Sequence, residues 1–211
     1  LIFKTAKICR KLYKPKKFPK FSNLLTFVCN IGKREGFFYL YTKQTIMTLK
    51  EYITLFSNYL ESNYPQQEPR NLYQPMQYIL ELGGKRVRPV LTLIASDGFK
   101  GEIQKALAVA MSVEVFHNFT LLHDDIMDQA PIRRGKPTVH QHWNINTAIL
   151  SGDVMMIKAY AYLNQFEPEV FKSLTQVLTQ TAIEVCEGQQ YDVDFENKES
   201  VSLQEYMEMI R

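Results

Sequence analysis

Ala106 to Asp128 reads ALAVAMSVEVFHNFTLLHDDIMD, a long apolar stretch that ends in Asp124, Asp125 and Asp128. Its length and composition are those of a buried helix. Carboxylates at the end of such a helix are costly to bury unless a cation neutralises them. Positions i and i+4 share a helical face, one turn or roughly 5.4 Å apart. Asp124 and Asp128 are therefore expected to project into one space, with Asp125 close beside them. Ligands that are all oxygen suit magnesium, which takes one or two carboxylates and fills its other positions with water and substrate phosphate. Arg133 and Arg134 follow after a short loop, and guanidinium groups bind phosphate in a bidentate way. The expectation is a site for a magnesium-bound diphosphate.

Outward from this stretch, the pattern is helical from Met47 onward. Tyr52, Leu55, Phe56 and Leu60 give helical spacing over Thr48–Asn63, and Asn63-Tyr64-Pro65 breaks it. Leu72–Leu82 resumes, and Gly83-Gly84 stops it. Pro89 suits the first turn of a helix that runs to about Ser96, where Asp97-Gly98 ends it. Glu102 to Asp128 is the longest candidate. Pro131 and Gly135-Lys136-Pro137 mark a loop. Asn146 to Gln165 and Glu169 to about Glu187 are helical, with Gly188 a kink, and Ser202 starts a last helix. No strand alternation with hairpin chemistry stands out, so the body is expected to be all-α.

The 211 residues are 45% hydrophobic, enough for one domain with a substantial core. Residues 1–46 hold 11 lysines and arginines against the single acid Glu35, a net of +10. Residues 47–211 hold 14 basic and 21 acidic residues, a net of −7. This mildly acidic body argues against a nucleic-acid binder, which would show a basic face. Met47 is the first methionine, and Thr48-Leu49-Lys50-Glu51 reads as a helix opening. Residues 1–46 are accordingly expected to be an upstream stretch outside the fold. A transit peptide is the rival reading, opposed by a leader rich in lysine with one serine, Ser22. No run approaches the roughly 20 apolar residues of a membrane span, so stable membrane insertion is not expected. Cys9, Cys29 and Cys186 are few and scattered, which fits free thiols in a reducing, cytoplasmic compartment.

A second basic cluster lies in Gly83-Gly84-Lys85-Arg86-Val87-Arg88-Pro89. Helix N-termini favour anions, and glycines let backbone approach a ligand. A basic turn alone is usually solvated surface; beside an acid cluster and another arginine pair it also suits an anion site. His117 lies seven residues before Asp124, on roughly the same helical face. It reads either as a satisfied core histidine or as a phosphate ligand. His123 reads as orienting Asp124 or as capping local polar groups, and His140 and His142 carry no assignment.

GGKRVRP, HNFTLLHDDIMD and RRGKPT, in this order and separation, resemble the trans-type (E) polyprenyl diphosphate synthases, over about residues 47–211. The resemblance implies the isoprenoid-synthase helical bundle around a central cavity, and head-to-tail condensation of isopentenyl diphosphate with an allylic diphosphate. It implies that Lys85, Arg88, His117 and Arg134 bind isopentenyl diphosphate, with Arg86 supporting. Asp124, Asp125 and Asp128 would hold Mg2+ bridging to the allylic diphosphate, with Arg133 contacting that diphosphate. Gly188-Gln189-Gln190-Tyr191-Asp192 resembles the family's GQxxD segment, which would put Gln189 and Asp192 at the same cavity. Gly152-Asp153 resembles a structural element. Phe119, with the small Thr120 and the deeper Phe116, would form the floor for the growing chain and favour a product of about twenty carbons. Phe119 also reads as plain packing between helices, and Gln189 as a packing amide.

The family's second aspartate-rich motif and the Lys-Thr pair before it do not occur in these 211 residues. The chain is therefore expected to be an N-terminal part of the fold, inactive by itself, and a homodimer at full length. A class I terpene cyclase shares DDxxD but needs no second diphosphate site. A non-catalytic subunit of a heteromeric synthase tends to lose the acids, which all stand here. No Ser/His/Asp or Cys/His arrangement suggests a protein nucleophile.

Overall fold

A computed structural model describes residues 47–64, 67–196 and 198–210. The expectations for residues 1–46 lie outside the described residues. The body is helical: α1 Leu49–Ser62, α2 Arg70–Glu81, α3 Val87–Gly98, α4 Ile103–Met127, α5 Val139–His142, α6 Ile145–Ala161, α7 Pro168–Phe195 and α8 Leu203–Met209. Two-residue strands β1 Ile132–Arg133 and β2 Lys136–Pro137 lie between α4 and α5.

Helix starts follow local chemistry. Thr48 caps α1 and Ser202 caps α8 with full capping boxes through Glu51 and Glu205. Asn144 caps α6 by accepting from the Thr147 amide. Pro168 opens α7, where a missing N–H is tolerated. Pro75 sits inside α2 and is buried, a position that local propensity disfavours and packing accepts.

α4 is the hub. Its residues from Ala106 to Phe116 are buried all round, so the helix has no polar face there. It packs mainly against α6 and α3, with α1 and α2 completing the surround. Phe56, Leu80, Leu93, Met111 and Met155 fill the interior from five helices. α4 is also the one described helix long and apolar enough to cross a membrane, contrary to the expectation that none approaches this. However, 78% of its most apolar window is buried in the fold.

Three further expectations are corrected. The Arg133-to-Lys136 connection is a hairpin, with Ile132 opposite Pro137 and Arg133 opposite Lys136. Its two turn residues, Arg134 and Gly135, have φ of 53° and 80°, the left-handed pair that a tight hairpin demands. Strands of two residues carry no readable alternation. α6 stops at Ala161 rather than Gln165. α7 runs on through Gly188 to Phe195, because a single glycine weakens a helix without ending it when packing supports both sides.

Candidate active site

The turn after α2 brings two of the predicted cation clusters together. Gly83 and Gly84 have φ of 81° and 137°, conformations that side-chain-bearing residues rarely adopt. A Cβ on Gly84 would stand 2.9 Å from the Arg134 guanidinium, so a side chain here would push that guanidinium away. The RRG arginine thus lies on the backbone of the GGKRVRP turn. Arg86, the N-cap of α3, is itself left-handed at φ 48°. Arg88, two residues on, reaches α4 and places Nη1 3.2 Å from His117 Nε2. Lys85 is exposed beside them.

Burial and the charges of Arg88, Arg134, Arg133 and Arg86 push the His117 imidazole down to about 4. His117 is neutral at pH 7 and offers hydrogen bonds rather than charge. Burial and the like charge of Arg86 also lower the proton affinity of Arg134. This is a set of cations held close together, the electrostatic signature of a place for an anion.

The acids lie at the end of α4. Asp124 is half-buried, Asp128 is the exposed C-cap, and Asp125 is 2% exposed. Asp125 points into the fold, where Oδ2 accepts from Arg133 Nε at 2.7 Å. Arg133 Nη2 stands 3.6 Å from Asp124 Oδ2. Burial and the neighbouring carboxylates of Asp128, Asp125 and Asp192 raise the Asp124 carboxyl, with Arg133 opposing. One guanidinium therefore serves two of three aspartates, and the buried Asp125 Oδ1 has no hydrogen-bond partner. Such under-compensated carboxylates fit a divalent cation. Among the described residues, no three His, Cys, Asp or Glu side chains converge on one point, so Asp124, Asp125 and Asp128 are not gathered into the single ligand set that the sequence suggested.

A cavity of about 410 Å³ is reached by Arg88 and His117 of the cationic cluster, while Lys85, Asp124, Asp125, Asp128, Arg133 and Arg134 do not line it. Phe116, His117 and Thr120 of α4 form one wall with Arg88. The facing wall is α7, from Thr181 through Glu184, Val185 and Gly188 to Gln189 and Asp192, with Met209 and Ile210 at the end of α8. Gln189 and Asp192 thus both line this cavity. Of the three expected floor residues, Phe116 and Thr120 line the cavity, while Phe119 does not. Residues 116 and 120 share a helical face, whereas Phe119 is turned about 100° from Thr120. Its ring packs on Phe116 and edge-on against His123, at 5.6 and 4.8 Å between centroids.

His123 leans over Gly152 of α6, where a Cβ would overlap its ring. It lies 3.8 Å from Asp153, so Gly152-Asp153 serves the packing of α4 on α6. His142 stacks on Tyr78 away from the acids. Sequence reasoning missed Glu114, Asn118, Thr181 and Glu184. Glu114 carried a usable signal, a lone acid within an apolar helix.

The Polyprenyl synthetase family model matches residues 69–211. The geranylgeranyl diphosphate synthase of Methanosarcina mazei is 40% identical over 171 residues, covering 78% of this chain and 53% of that protein. A crystal structure of a geranylgeranyl pyrophosphate synthase superposes with a TM-score of 0.76 at 52% identity, covering 78% of this chain and 50% of that one. The Pyrococcus horikoshii geranylgeranyl pyrophosphate synthetase gives a TM-score of 0.72 at 40% identity, covering 77% and 50%. The chain spans about half the length of the curated relatives it matches. With the family model matched over residues 69–211, the chain belongs to the polyprenyl synthetase family.

Proposed function

We propose that this chain forms one wall of the active site of a magnesium-dependent prenyltransferase, which condenses isopentenyl diphosphate with an allylic diphosphate to a product of about twenty carbons. The observation that carries the reading is the convergence of three motifs distant in sequence. Arg134 lies on Gly84, Arg88 meets His117 at a cavity that Asp192 also lines, and Asp124 is near enough to feel the Asp192 charge. A single diphosphate would need one such pole; a cationic pole and an acidic pole suit two diphosphates. The names of the relatives, geranylgeranyl diphosphate synthases, support the same reading.

In this proposal Lys85, Arg88 and Arg134 hold the diphosphate of isopentenyl diphosphate, with a hydrogen bond from His117. Asp124, Asp125 and Asp128 would hold Mg2+ at the allylic diphosphate, Asp125 through the Oδ1 that has no other partner, while its Oδ2 keeps Arg133 aimed at the same group. The metal, when bound, would offset the negative charge that grows on the departing pyrophosphate. Arg133 adds a fixed positive charge there, and such preorganised electrostatics is where most of the rate is gained. Phe116 and Val185 present apolar surface to the allylic cation. The double bond of isopentenyl diphosphate attacks that cation, and a proton is then lost to the pyrophosphate, so no protein nucleophile is needed.

The reading extends to a cytoplasmic protein, supported by the free thiol of Cys186, and to a homodimer, supported by Ile149, Leu150 and Ile157 exposed along α6. It is tested by titrating the chain with isopentenyl diphosphate, with and without Mg2+. Turnover of both substrates is then assayed in a protein that continues this sequence to the length of its relatives. Binding of isopentenyl diphosphate without metal, and turnover only with Mg2+, are expected. Turnover of an allylic diphosphate alone to a cyclic hydrocarbon would overturn the proposal.

A further inference from the structure

Glu114 sits in the most apolar part of α4, 3% exposed, and the diphosphate site gives it no task. Its Oε1 accepts from Arg86 Nη1, and the Asn118 amide donates to the same oxygen at 3.2 Å. The other end of the Arg86 guanidinium, Nη2, donates to the carbonyl of Leu80 in the last turn of α2. One buried guanidinium therefore joins α2 and α4 to the N-cap of α3.

Arg86 pays for this tie with a left-handed backbone at φ 48°, which a side chain disfavours. A buried charge stripped of its partner costs far more than that strain, so the pair holds the backbone in place. The consequence reaches the ligand site directly. Lys85 and Arg88 leave the chain on either side of Arg86, and their directions follow from its φ. Arg88 then meets His117, one residue before Asn118, on the same helix that carries Glu114. Arg134 lies near enough to feel the charges of both Arg86 and Glu114.

We propose that Glu114 is a positioning residue: through its ion pair with Arg86 it locks the turn that presents Lys85 and Arg88 beside Arg134 and His117, and so sets the affinity for the diphosphate of isopentenyl diphosphate. The inference rests on the diphosphate reading above. A purely structural Glu114 would lower stability and leave the affinity of the folded protein unchanged.

The test is titration calorimetry of the full chain with isopentenyl diphosphate, alongside thermal unfolding. Glu114→Gln keeps the shape and removes the charge. Arg86→Met combined with Glu114→Leu replaces the buried pair by apolar side chains, an exchange that often leaves stability intact, and it carries the test if Glu114→Gln does not fold. Both variants should bind at least about tenfold more weakly, the loss expected when a charge-assisted hydrogen bond to the ligand is misplaced. A folded variant of either kind that binds with parental affinity would overturn the inference. A parent chain that binds no isopentenyl diphosphate would instead overturn the functional reading, and this inference with it, before any substitution is made.

Discussion

Gly84→Ala isolates the contact on which the cationic pole is built, and Gly83→Ala is its matched control. Both glycines have positive φ, so alanine at either should cost about 1–3 kcal/mol of stability through backbone strain. The two differ in what a methyl group meets. At position 83 nothing lies within 4 Å, whereas at position 84 the three nearest atoms are the Arg134 guanidinium at 2.9–3.0 Å. An ordinary contact is about 3.5–4.0 Å, so Arg134 must retreat by at least about half an ångström. A charge-assisted hydrogen bond displaced by that much forfeits a large part of its roughly 1.5–3 kcal/mol. Isopentenyl diphosphate should therefore bind about 10-fold to 100-fold more weakly to Gly84→Ala. Gly83→Ala should unfold at a similarly reduced temperature yet bind with nearly parental affinity. Titration calorimetry with a melting curve for each variant separates strain from displacement. Equal affinity losses in the two variants, or none in a folded Gly84→Ala, would refute the argument that Arg134 seats on Gly84 to hold an anion.

Cavity geometry separates two aromatic rings that the sequence treats alike: Phe116→Ala should lengthen the prenyl product more than Phe119→Ala, read by chromatography of the products of the full-length protein, since Phe116 lines the cavity and Phe119 packs beside it. His117 titrates near 4 when folded and near 6.5 when unfolded. The unfolded chain therefore takes up its proton first as pH falls, and stability should drop between pH 6.5 and 4 by about 2 kcal/mol after allowing for partial exposure. His117→Gln should shrink the difference between denaturant midpoints at pH 7 and pH 5. Gly152→Ala places a methyl in the His123 ring and should destabilise the packing of α4 on α6 by about 1–3 kcal/mol in chemical denaturation. Phe56→Ala, at a fully buried position, should cost about 3–5 kcal/mol in the same assay.

Local chemistry was legible wherever a few neighbouring residues decide the outcome. The capping boxes at Thr48 and Ser202, the apolar run of α4 and the glycine stop after α2 are each set within one or two turns of chain. The three charged motifs were legible for the same reason: residue type and order suffice to say that acids, arginines and a glycine turn suit diphosphate chemistry. Legibility failed where the deciding atom belongs to a distant element. The role of Gly188 is one such case: α7 runs through it, and the missing side chain makes room for the Met209 carbonyl of α8, which a Cβ would meet at 2.8 Å. The hairpin at Arg134 was hidden because its strands hold two residues each.

By itself, the sequence determined that this is a helical protein whose acids cap an apolar core helix and whose cations cluster at two loops. Periodicity and composition act over short distances and survive without a partner. Only the tertiary structure decided that Arg134 lies on Gly84, that Arg86 is buried against Glu114, and that Phe116 rather than Phe119 faces the cavity. Those facts depend on how α2, α3 and α4 approach one another and on rotations of about 100° per residue around a helix. The order of residues along the chain does not record them.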